Sequence, residues 1–69
     1  MSSEIVAIQG MTTVVRSTAK AGCFRLSTGR EVWLPWSTVD EGSVDKDGAT
    51  GTLYVKQWLA DKESLPYGD

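Results

Sequence analysis

Apolar and polar positions alternate through most of this chain, and the alternation changes period only near its end. Glu4-Ile5-Val6-Ala7-Ile8 is a short apolar, β-branched run closed by Gly10, which predicts a first strand. Thr12-Thr13-Val14-Val15-Arg16-Ser17 predicts a second, and the polar Ser17–Lys20 stretch a turn. Ala21 to Ser27 forms a third strand, with Gly22, Phe24 and Leu26 on one face and Cys23 and Arg25 on the other. Ser27-Thr28-Gly29-Arg30 reverses the chain, because Gly29 is free to take positive φ. Glu31 to Leu34 returns as a fourth strand, Val32 and Leu34 facing inward and Trp33 outward. Pro35 cannot donate to a ladder, so that strand ends or lies at an edge there.

Thr38-Val39-Asp40-Glu41 has the spacing of a capping box, which predicts one helical turn before Gly42. A polar loop follows around Asp47-Gly48. Gly51 to Lys56 is the last strand, with Leu53 and Val55 inward. Over Lys56–Leu65 the period becomes helical: Trp58, Leu59, Lys62 and Leu65 form one stripe, and Pro66 ends it. Five short strands and one helix in 69 residues predict a single mainly β domain. The expected architecture is an antiparallel SH3-like or OB-like barrel, because closure removes exposed edges. Trp58 and Leu59 are expected to plug one open end, and residues 1–3 and 66–69 to be flexible.

Composition narrows the chemistry. At 41% hydrophobic residues the chain can build one core. It has no histidine, hence none of the commonest general base or metal ligand, and a single cysteine, Cys23, without a Cys–His partner. From Ser43 on, Asp45, Asp47 and Gly48 fall at calcium-loop positions, but Tyr54 stands where the bidentate carboxylate belongs. Glycine placement matches no phosphate cradle. The expectation is a non-enzymatic protein without metal or cofactor. The lone thiol, the lack of a signal-like segment and the lack of a membrane-length apolar run lead us to expect a cytoplasmic protein with no membrane partner.

Charge is unevenly distributed. Residues 1–36 carry four basic against two acidic side chains, net +2, and residues 37–69 three against seven, net −4. The basic half also holds the aromatic hairpin. Arg16, Arg25, Arg30, Trp33 and Trp36 are therefore the candidate contact residues. Aromatic faces flanked by cations suit single-stranded nucleic acid, and the same equipment makes a protein hot spot. The alternative is that Trp33 and Trp36 cover the barrel end or pack on the terminal helix.

Val32-Trp33-Leu34-Pro35-Trp36-Ser37 resembles the aliphatic-Trp-aliphatic-Pro-x-Ser strand end of short uncharacterised bacterial and phage proteins. Val55, Trp58, Leu59, Ala60, Lys62 and Leu65 match their second pattern, V-x-x-W-L-A-x-K-x-x-L. The resemblance covers roughly residues 21–65. It implies a phage or prophage accessory protein, of a group in which some members are tied to DNA metabolism. Trp36 stands where those proteins commonly carry a polar residue, which favours an apolar contact. The expected function is a small binding module for nucleic acid or a nucleic-acid-processing protein. The second expectation is an inhibitory or structural module binding a host protein through the acidic Asp40–Asp47 loop or a self-complementary aromatic patch. Either form is compatible with a homo-oligomer.

Overall fold

The alternation of Val32 and Leu34 with Glu31, Trp33 and Pro35 becomes an edge strand in the computed structural model, which describes residues 4–67. The elements in chain order are β1 (Ile5–Ala7), β2 (Thr12–Ser17), β3 (Ala21–Arg25), β4 (Glu31–Pro35), a 3₁₀ turn (Trp36–Thr38), β5 (Thr50–Gly51), β6 (Tyr54–Lys56) and α1 (Gln57–Lys62). The expected hairpin is present: β3 and β4 pair antiparallel from Arg25↔Glu31 to Ala21↔Pro35, and Gly29 takes φ 92° in the turn. The expected fraying of residues 1–3 lies outside the described residues.

Two antiparallel sheets result, one ordered β4-β3-β2-β5 and one β1-β6. The single last strand expected over Gly51–Lys56 is split. β5 pairs with β2, β6 pairs with β1, and Thr52-Leu53 carries the chain between the sheets. A strand that serves two packed sheets has to bend where it changes partner. Leu53 lies at that bend, fully buried, beside Val14, Phe24, Leu34 and Val55 in the one core cluster.

The ladder does not close into a barrel. Past Pro35 the 3₁₀ turn interrupts β4, and only an isolated Val39↔Val55 bridge joins its continuation to β6. Asp40 N–H to Tyr54 O (2.8 Å) and Val44 N–H to Thr52 O (3.0 Å) prolong this contact. The expected architecture is thus found in its coarser form: mainly β, antiparallel, with one short C-terminal helix.

The capping box starts no helix. Thr38 Oγ1 donates backward to Pro35 O at 2.7 Å, and Val39 is extended. The Asp40 carboxylate accepts the Gly42 N–H at 3.1 Å, an Asx turn. Pairing with β6 has overridden the local helical signal.

α1 is also shorter than the Lys56–Leu65 expected. Ser64 takes φ 56°, and Leu65 N–H bonds Ala60 O at 2.8 Å, a left-handed helix end. β6 runs into α1 without a loop, which fixes the helix phase so that Leu59 and Ala60 face the core. Trp58, expected to plug the interior beside Leu59, is 50% exposed. Pro66 and Tyr67, expected as part of a tail, are docked: Gln9 N–H donates to Pro66 O at 2.8 Å, and Tyr67 bridges to Ile8.

Two substitutions test the packing. A Cβ on Gly22 would sit 2.9 Å and 3.0 Å from ring carbons of Trp36, so Gly22→Ala is expected to lower stability by about 1–3 kcal/mol in chemical denaturation. The buried Thr12 hydroxyl makes no hydrogen bond among the described residues, so the isosteric Thr12→Val is expected to raise stability by about 1 kcal/mol.

Candidate functional site: the outer face of the β2–β3–β4 sheet

Cross-strand register arranges the candidate residues in two rows. Thr13, Arg25 and Glu31 lie side by side across β2, β3 and β4, and Arg16, Cys23 and Trp33 form the next row. Directly opposed residues share a face, about 4.5–5.5 Å apart at Cβ. Strict alternation from buried Thr12 and Val14 would turn Arg16 inward. A register shift between Val14 and Arg16 inserts Val15 as an extra residue and returns Arg16 to the outer face.

Trp33 is 51% exposed in the middle of its strand, while Val32 and Leu34 on either side are buried. Cys23, between Arg16 and Trp33 in its row, is 2% exposed although its strand phase points outward. The thiol is a filled position of the sheet rather than an accessible nucleophile.

The three arginines differ in what they offer. Arg25 donates from Nε (3.1 Å) and Nη2 (2.6 Å) to the same Glu31 oxygen, so its charge is compensated on the surface. Arg30 reaches Ser64 O from Nη1 at 3.4 Å, holding the β3–β4 turn near the end of α1. Arg16 is exposed and makes no ion pair or side-chain hydrogen bond among the described residues.

Trp36 does not join the Trp33 surface. Its ring meets Phe24 edge-to-face, with centroids 5.7 Å apart and planes at 83°. Its Nε1–H donates to Thr18 O at 2.8 Å. The indole is half-buried on the inward side of the sheet, over Gly22. Of the five candidates, the structure brings Trp33, Arg16 and Arg25 onto one face, leaves Arg30 at the turn and assigns Trp36 to internal packing. Period two already places Glu31 on the face of Trp33, but its ion pair with Arg25 is what the sequence reading lacks. Its place opposite Arg25 followed from the hairpin register, which was the available signal.

The acidic segment is partly tied down as well. Asp47 accepts from Ser17 Oγ at 2.6 Å. Ser43, buried, donates to Tyr54 O at 2.7 Å and accepts from Tyr54 N–H at 2.8 Å. Asp40 and Glu41 form one lip of an open cleft of about 250 Å³, with Ile5, Val39 and Lys56 among its other walls. Among the described residues no group of three or more His, Cys, Asp or Glu is placed to hold a metal ion, and no helix is long and apolar enough to cross a membrane.

Fold and surface define a class: a small antiparallel two-sheet β domain that, among the described residues, presents the Trp33 indole and the uncompensated Arg16 guanidinium on a sheet face. No protein-family profile, curated protein or solved structure matches the chain.

The different roles of the two tryptophans can be measured. Trp33→Ala is expected to change unfolding free energy by no more than about 0.5 kcal/mol, as for an ordinary surface position. Trp36→Ala, which empties the space over Gly22 and Phe24, is expected to cost about 2 kcal/mol or more.

Proposed function

We propose that the chain is a small non-enzymatic binding module, of the phage or prophage accessory type, that contacts a nucleic-acid-processing protein through the Trp33 face. The observation that carries this is Trp33 itself, a large aromatic half exposed in a regular strand whose inward neighbours already fill the core. A rigid aromatic flanked by arginines is the composition of a protein hot spot. In the same reading the two sheets are an open variant of a small SH3-like or OB-like barrel, supported by the Val39–Val55 bridge that continues β4 toward β6. The setting is bacterial cytoplasm, supported by a lone, unpaired cysteine and the resemblance of residues 21–65 to phage proteins.

Direct contact with single-stranded nucleic acid is the second reading, favoured by Arg16 beside Trp33. It is the weaker one, because Glu31 compensates Arg25 and Trp36 faces the core, which leaves, among the described residues, Trp33 as the stacking platform and Arg16 as the free cation on the face. An inhibitory or structural role through the acidic loop has the Asp40–Glu41 lip in its support.

Trp58 supplies a matched control, being equally exposed but on α1. A photo-cross-linking residue at position 33 is expected to capture a protein partner in bacterial extract, and the same residue at position 58 is not. Equal capture at both positions overturns the assignment of the face. Salt-dependent quenching of wild-type fluorescence by an oligonucleotide, lost in Trp33→Ala, establishes the nucleic-acid reading instead.

A further inference from the structure

β4 is the outer strand of its sheet, and its hydrogen-bonding edge is open over a short, definable stretch. At the two ends of the β3–β4 ladder, Leu26 N–H bonds Arg30 O and Trp36 N–H bonds Lys20 O. Antiparallel rungs alternate, so Val32 and Leu34 also turn their peptide groups toward β3, and Glu31 and Trp33 turn theirs outward. No other backbone hydrogen bond to Glu31 or Trp33 is made among the described residues. Beyond them the edge is closed: Pro35 has no N–H, and its carbonyl accepts from Thr38 Oγ1 at 2.7 Å.

The open edge therefore amounts to two N–H and two C=O groups. We propose that a second copy of this chain pairs with it, β4 against β4 about a two-fold axis, Glu31 of each copy facing Trp33 of the other. In this register the four outward N–H groups of the dimer meet the four outward carbonyls, and Pro35 is not asked to donate. A register centred on Trp33 itself would set Glu31 against Pro35 and leave carbonyls without donors. The edge is complementary to itself and too short to hold a long foreign strand by main-chain bonds alone.

The side chains agree with the pairing. Glu31 and Trp33 lie on the outer face, so the two indoles become diagonal neighbours about 7–8 Å apart, within reach of each other. The contact is isologous and closes on itself. It does not propagate from the other end of the sheet, because Val44 N–H bonds Thr52 O alongside β5. The dimer merges two β2–β3–β4 faces into one surface with a Trp33 pair at its centre and an Arg16 on either side. This inference rests on the strand edge and is independent of the partner proposed above.

Sedimentation equilibrium of the full chain is expected to show a mass rising with concentration from 7.5 kDa to twice that value. Glu31→Pro removes one outward donor without touching the Val32 and Leu34 rungs, and is expected to stay monomeric with an unchanged circular dichroism spectrum. Glu31→Ala, which loses only the ion pair to Arg25, is expected to dimerise like the wild type. Amide exchange gives a readout that needs no variant: the Glu31 and Trp33 N–H groups are expected to slow as concentration rises. A wild-type chain monomeric at every concentration overturns the proposal, as does a dimer in which those two amides still exchange fast. Protection that appears only when another protein is added assigns the edge to a foreign strand and also overturns it.

Discussion

The contact of Trp36 with Phe24 over Gly22 holds the corner on which both sheets depend. Gly22 leaves β3 without a side chain where the Trp36 ring crosses it, and Phe24 meets that ring nearly at right angles. The indole N–H reaches back to Thr18, tying the 3₁₀ turn to the β2–β3 connection. With the turn held there, Val39 emerges extended beside Val55, and Asp40 can bond Tyr54. The chain thus changes from edge strand of one sheet to neighbour of the other within a few residues. An aromatic edge-to-face pair of this kind contributes about 0.5–1.5 kcal/mol beyond the apolar area it buries.

That anchoring role explains which parts of the molecule could be read from the chain. The β3–β4 hairpin was legible because Val32, Leu34, Phe24 and Leu26 keep period two and Gly29 marks the reversal. β2 was legible from its β-branched run. Arg16 was named without its face, since nothing in Thr-Thr-Val-Val-Arg-Ser announces the extra residue at Val15 that turns it outward. Trp36 was misplaced because the residue after a strand-ending proline can leave in either direction, and the deciding partners, Gly22 and Phe24, are distant in sequence. The Thr38–Glu41 capping spacing is a purely local signal, and pairing with Val55 overrode it. Helical spacing alone turns Trp58 inward, whereas a helix of six residues takes its phase from the strand that feeds it.

The electrostatic picture changes in the same way. Counting charges along the chain makes the first half basic, but charge becomes available only after pairing is taken into account. Glu31 compensates Arg25 across the hairpin, at a surface-exposed pair whose stability contribution is small. Its larger effect is on what the sheet face attracts. Arg16 makes no ion pair among the described residues, and a local irregularity in β2 places it beside Cys23 on the outer face. On the β2–β3–β4 face this leaves, among the described residues, Arg16 as the unpaired cation beside the exposed Trp33, while Lys20 and Arg30 lie off that face in the turns.

The split of the last strand has a bearing on how the molecule comes into being. β1 precedes β2, β3 and β4 in the chain, yet its sheet partner is β6, almost fifty positions further along. β2, β3 and β4 can assemble as a meander while synthesis continues, whereas β1 gains its sheet partner only with residues 54–56. The stretch 50–56 supplies the last strand of each sheet, and α1 with the docked Pro66 and Tyr67 follows it in the chain to cover the core.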